Sequence, residues 1–489
     1  MTAHSFSFAA GLLLSASQFG WVAAPAAAQT EFRYDNRSAD VAAHWAARAT
    51  LANAVMFSGL GEPLNMSVEE RDAVLKHAGY VTRPPLPKVA IVGAVYAGGA
   101  PSLEGKPDAA NPATLRWDQS TFDRTLDPAA QAWTLIKITS AAFHLQYHEP
   151  KEDKRIGLMM WPQAVAQADV LAKRLRSRDG LFVARRADGT LAAPKPRDQA
   201  AVLWAVSNLI LAASAKSDDY WHKAYRELID PDDYRKLADT ALAAVEKLAA
   251  QSPGDRALAI EALGRHALGA ANKAARAKSL SLARAQAESL AGSAEGGLEE
   301  IGLATYGLVE ASRLLAEPRF AAAAADLFRA RLMPRWNETL GVFTPPAAAA
   351  PLAYTPRTLA ALVAALNAMR WHGPQELARE AERVYPRLFQ TVLVGAGMLR
   401  ASPLPIVTPL YREKEPDAHF AHPGLPSPDA ARVAPVFAGE VRHEAGAWRL
   451  SDPTFRTADA MFLAVMLAMR QGEDADPFLP AARLAALKR

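Results

Sequence analysis

Arginine recurs at the start of apolar, helix-like segments of the chain. It stands in Pro-Arg-Asp-Gln at Arg197, in Thr-Pro-Arg-Thr at Arg357 and in Thr-Phe-Arg-Thr at Arg456. A cation in the first turn opposes the helix dipole, so local energetics do not explain the recurrence. Guanidinium groups grip carboxylate and sulfate groups in a bidentate way. If these helix starts lie together, the arginines are predicted to bind an anionic ligand; the alternative is pairing with carboxylates such as Asp198 and Asp459.

Acidic residues stand at the same helix starts. Hydrolysis of a glycosidic bond needs two carboxyl groups about 5–10 Å apart, one of them protonated. Asp118, Asp198 and Asp459 are the predicted catalytic carboxylates. Helix capping is the alternative, because Asp is favoured at helix N-caps. Further acids in these regions are Asp123, Glu299, Glu300 and Asp452.

Aromatic residues between the helices offer two more kinds of chemistry. Tyr354 lies three residues before Arg357, so it could act as the acid or base of a lyase, with the arginine as neutraliser. Trp336 and Trp448 lie in or beside linkers, where an indole ring could stack on a sugar. The predicted ligand-binding residues are therefore Arg197, Arg357, Arg456, Trp336 and Trp448.

Histidine spacing leaves a metal site open at two places. His144 and His148 stand four residues apart, and His419, His422 and His443 lie in a Pro-rich stretch. Both patterns could ligate a metal, but histidine is also favoured at helix C-termini by the dipole. No HExxH motif is present, and the absence of cysteine excludes thiolate ligands, disulfides and covalent haem attachment. We predict no metal and no cofactor.

Six strongly apolar segments with helical periodicity carry these residues. They begin near residues 127, 196, 253, 297, 355 and 453. A helix that is apolar nearly all round is buried, whereas one with a charged stripe lies outside. The alternation of apolar and amphipathic segments therefore predicts two concentric helical layers. Outer partners are predicted at 158–175, 232–250, 273–290, 319–333 and 375–394, and the sixth at either 38–57 or 480–488.

Two linkers share a four-residue signature, Asp179-Gly-Leu-Phe182 and Leu340-Gly-Val-Phe343. Glycine followed by apolar residues predicts a short hairpin or extended arm ahead of an inner helix. Together with the paired helices, these arms resemble those of the six-hairpin glycosidase-like (α/α)6 toroids, over roughly residues 127–489. The resemblance implies an all-α toroid with short β-like arms at one rim and a carbohydrate-related function. An open solenoid is the alternative, but the helix starts lack its near-constant period.

The N-terminal region predicts export. An apolar stretch at 6–22, followed by small residues at Ala26 and Ala28, is typical of a secretory signal. No later apolar run reaches the ~18 residues of a membrane span. We expect a periplasmic or secreted protein. The predicted layout is a signal peptide at 1–28, a helical lead-in at 29–126 and the toroid at 127–489, with a Pro-rich insertion at 399–452 that covers one rim as a flap.

The charge balance excludes one class of partner. The chain has 55 basic and 51 acidic residues, a net charge of +4, which is too even for a nucleic-acid-binding protein. The sequence predicts an exported protein that binds or processes an anionic carbohydrate as a hydrolase or lyase. The alternative is a non-catalytic periplasmic scaffold that binds a protein partner. A cleft lined by carboxylates favours the first hypothesis, and a centre filled by Ala and Leu favours the second.

Overall fold

The computed structural model is built from alternating inner and outer α-helices. It describes residues 33–69, 72, 91–102, 104–105, 114, 116–140, 154–215, 225–292, 295–345, 351–399 and 437–468. In chain order, the helices of these residues are α1 (Asn36–Ala52), α2 (Pro128–Thr139), α3 (Lys154–Lys173), α4 (Pro196–Ala213), α5 (Pro231–Lys247), α6 (Pro253–Gly269), α7 (Lys273–Gly292), α8 (Leu298–Leu315), α9 (Pro318–Leu327), α10 (Pro356–His372), α11 (Gln375–Leu388) and α12 (Thr457–Ala468).

The even-numbered helices form a closed inner ring. Each packs against the next, in the order α2, α4, α6, α8, α10 and α12, and α12 packs back against α2. These helices are buried along almost their whole length, as in α2, where every residue is buried. The all-α (α/α)6 toroid predicted from the sequence is therefore confirmed.

The odd-numbered helices form the outer layer, and each of α3, α5, α7, α9 and α11 packs against the inner helix that precedes it in the chain. The sixth outer position belongs to α1, which packs against α12. Of the two segments predicted for this position, the N-terminal one occupies it, and 480–488 lies outside the described residues. The N-terminal region thus contributes a helix to the double ring.

Proline and short polar caps fix where the inner helices begin. Proline is the first residue of α2, α4, α6 and α10, where its missing N–H costs no helical hydrogen bond and its φ suits the helix. Asp127 caps α2 by accepting from the amide of Ala130 at 3.0 Å, and Thr355 caps α10 through the amide of Thr358 at 3.2 Å. The first turns that carry the predicted site residues are therefore set locally by sequence.

Short antiparallel strands lie between the helices. One hairpin, with Gly341 in the left-handed region at φ 67°, precedes α10. A three-stranded sheet joins the strand directly before α10 to two strands that precede α12. The strands are β1 (Gly61–Pro63) with β2 (Val92–Val95), β3 (Gly98–Gly99) with β9 (Phe455–Arg456), β4 (Trp336–Asn337) with β5 (Val342–Phe343), and β6 (Leu352–Tyr354) with β7 (Glu440–Glu444) and β8 (Ala447–Asp452).

The two four-residue signatures form arms of the same design. Phe182 bridges to Arg176, and Phe343 pairs with Trp336. Gly180 has φ 86°, a left-handed conformation like that of Gly341, which glycine adopts without steric cost. The predicted β-like arms ahead of inner helices are therefore present, and glycine is needed at their turns.

Several predicted features lie outside the described residues. These are the signal segment 1–28, His144, His148, His419, His422 and most of the Pro-rich insertion. The described end of that insertion, 437–452, forms β7 and β8 beside β6, and its action as a flap stays a prediction. Among the described residues, no helix is long and apolar enough to cross a membrane.

Candidate active site

The first turns of the inner helices bring a cluster of charged side chains together at one rim of the ring. We call this set the rim cluster. It joins α4, α6, α8, α10 and α12 through ion pairs, and α2 through the electrostatic effect of Asp127 on two of its carboxyls. Its members are Asp127, Lys195, Arg197, Asp198, Asp255, Glu299, Glu300, Arg357 and Asp459.

Arg197 reaches from α4 to the two helices that follow it in the ring. Its Nε donates to Asp255 Oδ1 at 3.2 Å and its Nη1 donates to Glu299 Oε1 at 3.3 Å. Its Nη2 lies 3.9 Å from Glu300 Oε1. The side chain is 28% exposed, so the guanidinium group is already bound by carboxylates yet remains in contact with solvent.

Arg357 approaches the same cluster from α10. Its Nε donates to Glu299 Oε1 at 2.6 Å, and its Nη1 lies 3.7 Å from Asp459 Oδ1. Its guanidinium carbon lies 5.6 Å from the centre of the Phe462 ring, a distance at which a cation–π attraction acts. Glu299 therefore accepts hydrogen bonds from both Arg197 and Arg357, and the predicted binding of an anion by these arginines stays a prediction.

Asp198 is the most deeply buried carboxyl of the rim cluster. It is 3% exposed, and no hydrogen bond from a described residue to its carboxyl group is found. Burial, followed by the charge of Asp127, raises its pKa to about 7, against the opposing effect of Lys195, Arg357 and Arg197. A carboxyl group with this environment exchanges its proton near neutral pH, as a general acid or base must.

Asp459 is a second carboxyl group with a raised pKa. Burial is the main cause, Glu299 and Asp127 add to it, and Arg357 and Arg456 oppose it. Its side chain remains 24% exposed, so it is open to solvent where Asp198 is covered. The two candidate carboxylates therefore belong to one electrostatic cluster, since Asp127 and Arg357 act on both.

Arg456 and Asp118 lie apart from the ion pairs at the centre of the cluster. Arg456 is 58% exposed and donates to Asp452 Oδ2 at 2.7 Å. Asp118 caps the short 3-10 helix Gln119–Thr121, accepting from the amide of Ser120 at 2.9 Å. Hydrogen bonds from Ser120 lower the pKa of Asp118, so this carboxyl group stays ionised and is unsuited to be the protonated acid.

Tyr354, suggested from the sequence as the acid or base of a lyase, lies in the interior beside one of the β arms. It is fully buried, and its hydroxyl donates to the carbonyl of Phe343 at 2.5 Å. Burial raises its pKa far above the ordinary value for tyrosine. Gln199 makes the equivalent contact on the other arm, donating to the carbonyl of Phe182 at 2.8 Å. Both side chains fasten an arm to the next inner helix.

The two predicted sugar platforms lie on the β arms with neighbours of their own. Trp336 packs against Phe343 at 5.1 Å between ring centres and donates from its Nε1 to Glu338 at 2.6 Å. Trp448 packs against Tyr354 at 6.1 Å and His443 at 5.2 Å. Each ring is half-buried and stabilises its arm.

Aromatic rings close the ring of helices beneath the rim cluster. Phe462, below Arg357, lies 4.8 Å from Trp133, which packs edge-on against Trp204 at 5.4 Å. Arg265 lies 5.4 Å from the Trp204 ring, and its guanidinium group binds Glu261 at 2.6 Å. On the side of α12, α2 and α4, aromatic rings therefore pack beneath the rim cluster.

Sequence reasoning missed Asp127 and Lys195 as members of the rim cluster. Asp127 precedes Pro128 and therefore has the pattern of an N-cap, which hides its second role beside Asp198 and Asp459. Lys195 directly precedes Pro196 and was not singled out by spacing. Among the described residues, no group of three or more His, Asp or Glu side chains is placed to hold a metal ion.

Comparison with solved structures finds chains with a similar arrangement of helices. No family model matches the chain, and no curated protein matches it. A chain described as the crystal structure of D-mannose isomerase aligns with a TM-score of 0.47 and 12% sequence identity, over 82% of this chain and 97% of that chain. The fold assignment for this protein rests on its own closed ring of helix contacts.

Proposed function

We propose that the protein is an enzyme that processes a carbohydrate by acid–base chemistry at the rim cluster, with Asp198 as the proton-carrying group. The observation that carries the proposal is the buried carboxyl group of Asp198, held among charged side chains at the mouth of the toroid. Perturbed carboxyl groups of this kind concentrate at catalytic sites. The six-hairpin resemblance implies carbohydrate as the substrate class.

The charge of the rim cluster favours an uncharged part of the saccharide at this position. Two guanidinium groups, those of Arg197 and Arg357, are shared among four carboxylates. An anionic group placed there would compete with carboxylates that already bind both cations. The acidic saccharide predicted from the arginines would have to displace Glu299 from both guanidinium groups, so a hydroxyl-rich neutral unit fits better.

The cluster divides the chemistry among its members. Asp198 would deliver or accept the proton, and Arg357 would hold negative charge near it. Asp459, which is more exposed, would accept the proton of a substrate hydroxyl or of a water molecule. Burial, with the charge of Asp127 adding to it, raises the pKa of Asp198 so that part of the population is protonated near neutral pH. Hydrolysis and elimination both need an acid and a base placed in this way. The reaction products distinguish the two reactions.

The experiment is a screen of the full protein against neutral and acidic oligosaccharides, followed by Asp198→Asn. Release of new reducing ends indicates hydrolysis, and an unsaturated product indicates elimination. We expect Asp198→Asn to lower kcat by about 10²–10⁴-fold, the usual worth of a positioned acid or base. The control is Asp326→Asn, because Asp326 is 78% exposed on an outer helix. Full activity of Asp198→Asn would contradict the proposal.

We also propose that the protein acts after export. The support is the apolar segment 6–22 with small residues at Ala26 and Ala28. N-terminal sequencing of protein recovered from the periplasm or medium should begin near Gln29. Purified protein that retains residues 6–22 would contradict this part of the proposal and leave the chemistry of the rim cluster untouched.

A further inference from the structure

A small cleft lies far from the rim cluster, at the other end of the inner helices. Ser207 is nine residues beyond Asp198 on α4, about 13 Å along the helix axis, and His266 lies near the end of α6. The cleft has a volume of about 50 Å³, enough for a few water molecules or one small ion. Its polar lining residues are Ser207, Arg235, Asp239, His266 and Asn272.

Two hydrogen-bonding groups that line the cleft are buried without a partner. Ser207 is 1% exposed, and its hydroxyl has no hydrogen-bond partner in the described part of the chain; the same holds for Nε of Arg235. Buried polar groups are nearly always satisfied, because leaving one unpaired costs about 1–3 kcal/mol. Nε of Arg235 can only donate and the Ser207 hydroxyl can donate or accept, so a single acceptor in the cleft would satisfy both.

The ends of two helices border the same cleft. Asn272 caps α7 by accepting from the amide of Ala275 at 2.9 Å, and both residues line the cleft. Gly269 and Ala270 at the end of α6 line it too, so the dipoles of the two helices oppose each other there. The two unpaired side-chain groups therefore carry the case for an anion.

The acidic group of the cleft lies at its mouth. Asp239 is 70% exposed, with Oδ1 3.9 Å from Nε2 of His266, so water can screen it. His266 is held through Nδ1 by the hydroxyl of Ser279 at 2.8 Å. Arg235 contacts Asp232 through Nη1, and its Nε has no partner in the described part of the chain. The two unpaired side-chain groups of the cleft are therefore both able to donate.

We propose that this cleft binds a small oxyanion, a carboxylate or phosphate group, held by the Ser207 hydroxyl and Nε of Arg235. The site is separate from the rim cluster and does not depend on its function. It would serve either a free ion or the charged end of a larger metabolite. The exposed mouth at Asp239 is where the rest of such a molecule would leave the protein.

The test is titration of the full protein with inorganic phosphate and, separately, acetate, at constant ionic strength set by chloride, followed by calorimetry or amide NMR shifts. We expect saturable binding of at least one of them. Arg235→Gln should weaken it about 10–100-fold, and Ser207→Ala several-fold, as expected for lost charge-assisted and neutral hydrogen bonds. The matched control is Arg329→Gln, because Arg329 also pairs with an aspartate three residues earlier and is 53% exposed.

Ser207→Ala offers a second readout that a purely structural serine would not give. Without the anion, removal of an unpaired buried hydroxyl should raise the thermal midpoint, whereas anion binding should fall. Preference for phosphate or for acetate identifies the oxyanion, and either supports the site. Binding no stronger than that of chloride, or equal affinity in wild type, Arg235→Gln and Ser207→Ala, would overturn the proposal.

Discussion

Arginine–glutamate ion pairs occur both at the mouth of the toroid and in its interior. The two groups differ in how they are assembled and in their charge balance. In the interior, Arg265 and Glu261 are 1% and 3% exposed, lie four residues apart on one helix, and bind at 2.6 Å. At the mouth, Glu299 binds Arg197 and Arg357 from two other helices. The interior pair forms within one helix and has one charge of each sign. The rim cluster is assembled from several helices and has more carboxylates than cations.

The difference teaches how a structural ion pair and a candidate site are told apart. In a buried ion pair, the attraction between the two charges offsets the free-energy cost of taking them out of water. The rim cluster instead keeps Asp198 buried with a raised pKa, an arrangement that lowers stability when the group ionises. Retention of such a group suggests a use for its proton.

The largest expected effect comes from breaking the interior pair. Glu261→Gln removes the carboxylate charge that binds the buried guanidinium group of Arg265, so we expect a loss of about 3–5 kcal/mol in the free energy of unfolding, measured with denaturant. Glu288→Gln is the control, because its pair with Arg319 is half-exposed and should cost under about 1 kcal/mol. Similar losses in the two variants would show that burial does not make the interior pair more important for stability than the half-exposed one.

Asp198→Asn should have a smaller effect of opposite sign that depends on pH. Since the pKa of Asp198 is raised from 3.8 to about 7, the native state keeps a proton that the unfolded chain releases between these values. Stability of the wild type therefore falls as pH rises from about 4 to 7, and the loss is complete above 7. The variant lacks this loss. The difference in stability between variant and wild type should therefore grow by about 1–3 kcal/mol from pH 5 to pH 8.

Unfolding of both proteins with denaturant at several pH values checks this dependence. The charge of Asp127 adds to the effect of burial on Asp198, so the size of the measured step reports both causes together. Asp326→Asn, at an exposed site, should show the pH dependence of the wild type. An Asp198→Asn difference that is constant from pH 5 to pH 8 would mean that Asp198 is an ordinary ionised carboxylate.

Glu299→Gln sharpens the comparison at the centre of the rim cluster. The amide keeps an oxygen for Arg357 and Arg197 but loses the charge, so we expect about 1–2 kcal/mol of destabilisation. The pKa of Asp459 should also fall, because the charge of Glu299 helps to raise it. Titration of carboxyl NMR signals together with denaturation measures both effects. An unchanged pKa of Asp459 would separate the two carboxyls electrostatically.

The smallest effect is expected at Arg456. Its pair with Asp452 is 58% exposed on the arginine side, and pairs of this kind contribute about 0.2–1 kcal/mol. Arg456→Gln should therefore change the thermal midpoint only slightly. A loss as large as that of Glu299→Gln would show that Arg456 contributes to the stability of the rim cluster and is more than a surface ion pair.

The sequence by itself determined the helical layers, the helix starts and the arms. Apolar periodicity, proline at the first helical position and glycine at φ-positive turns are local signals, so they survive without knowledge of the fold. The same locality explains why Arg197 and Arg357 were found together. Both occupy first turns, and in a closed ring of parallel inner helices all first turns lie at one rim.

Only the tertiary structure decided what those residues do there. The partners of Arg197 and Arg357 lie 102 and 58 residues away at Glu299, and the pKa of Asp198 depends on burial and on residues from other helices. Tyr354 stabilises an arm because it is buried and its hydroxyl donates to the carbonyl of Phe343. The spacing of Tyr354 and Arg357 in the sequence does not show this contact. Burial and charge balance arise from the sum of contacts across the ring, and no short stretch of sequence contains them.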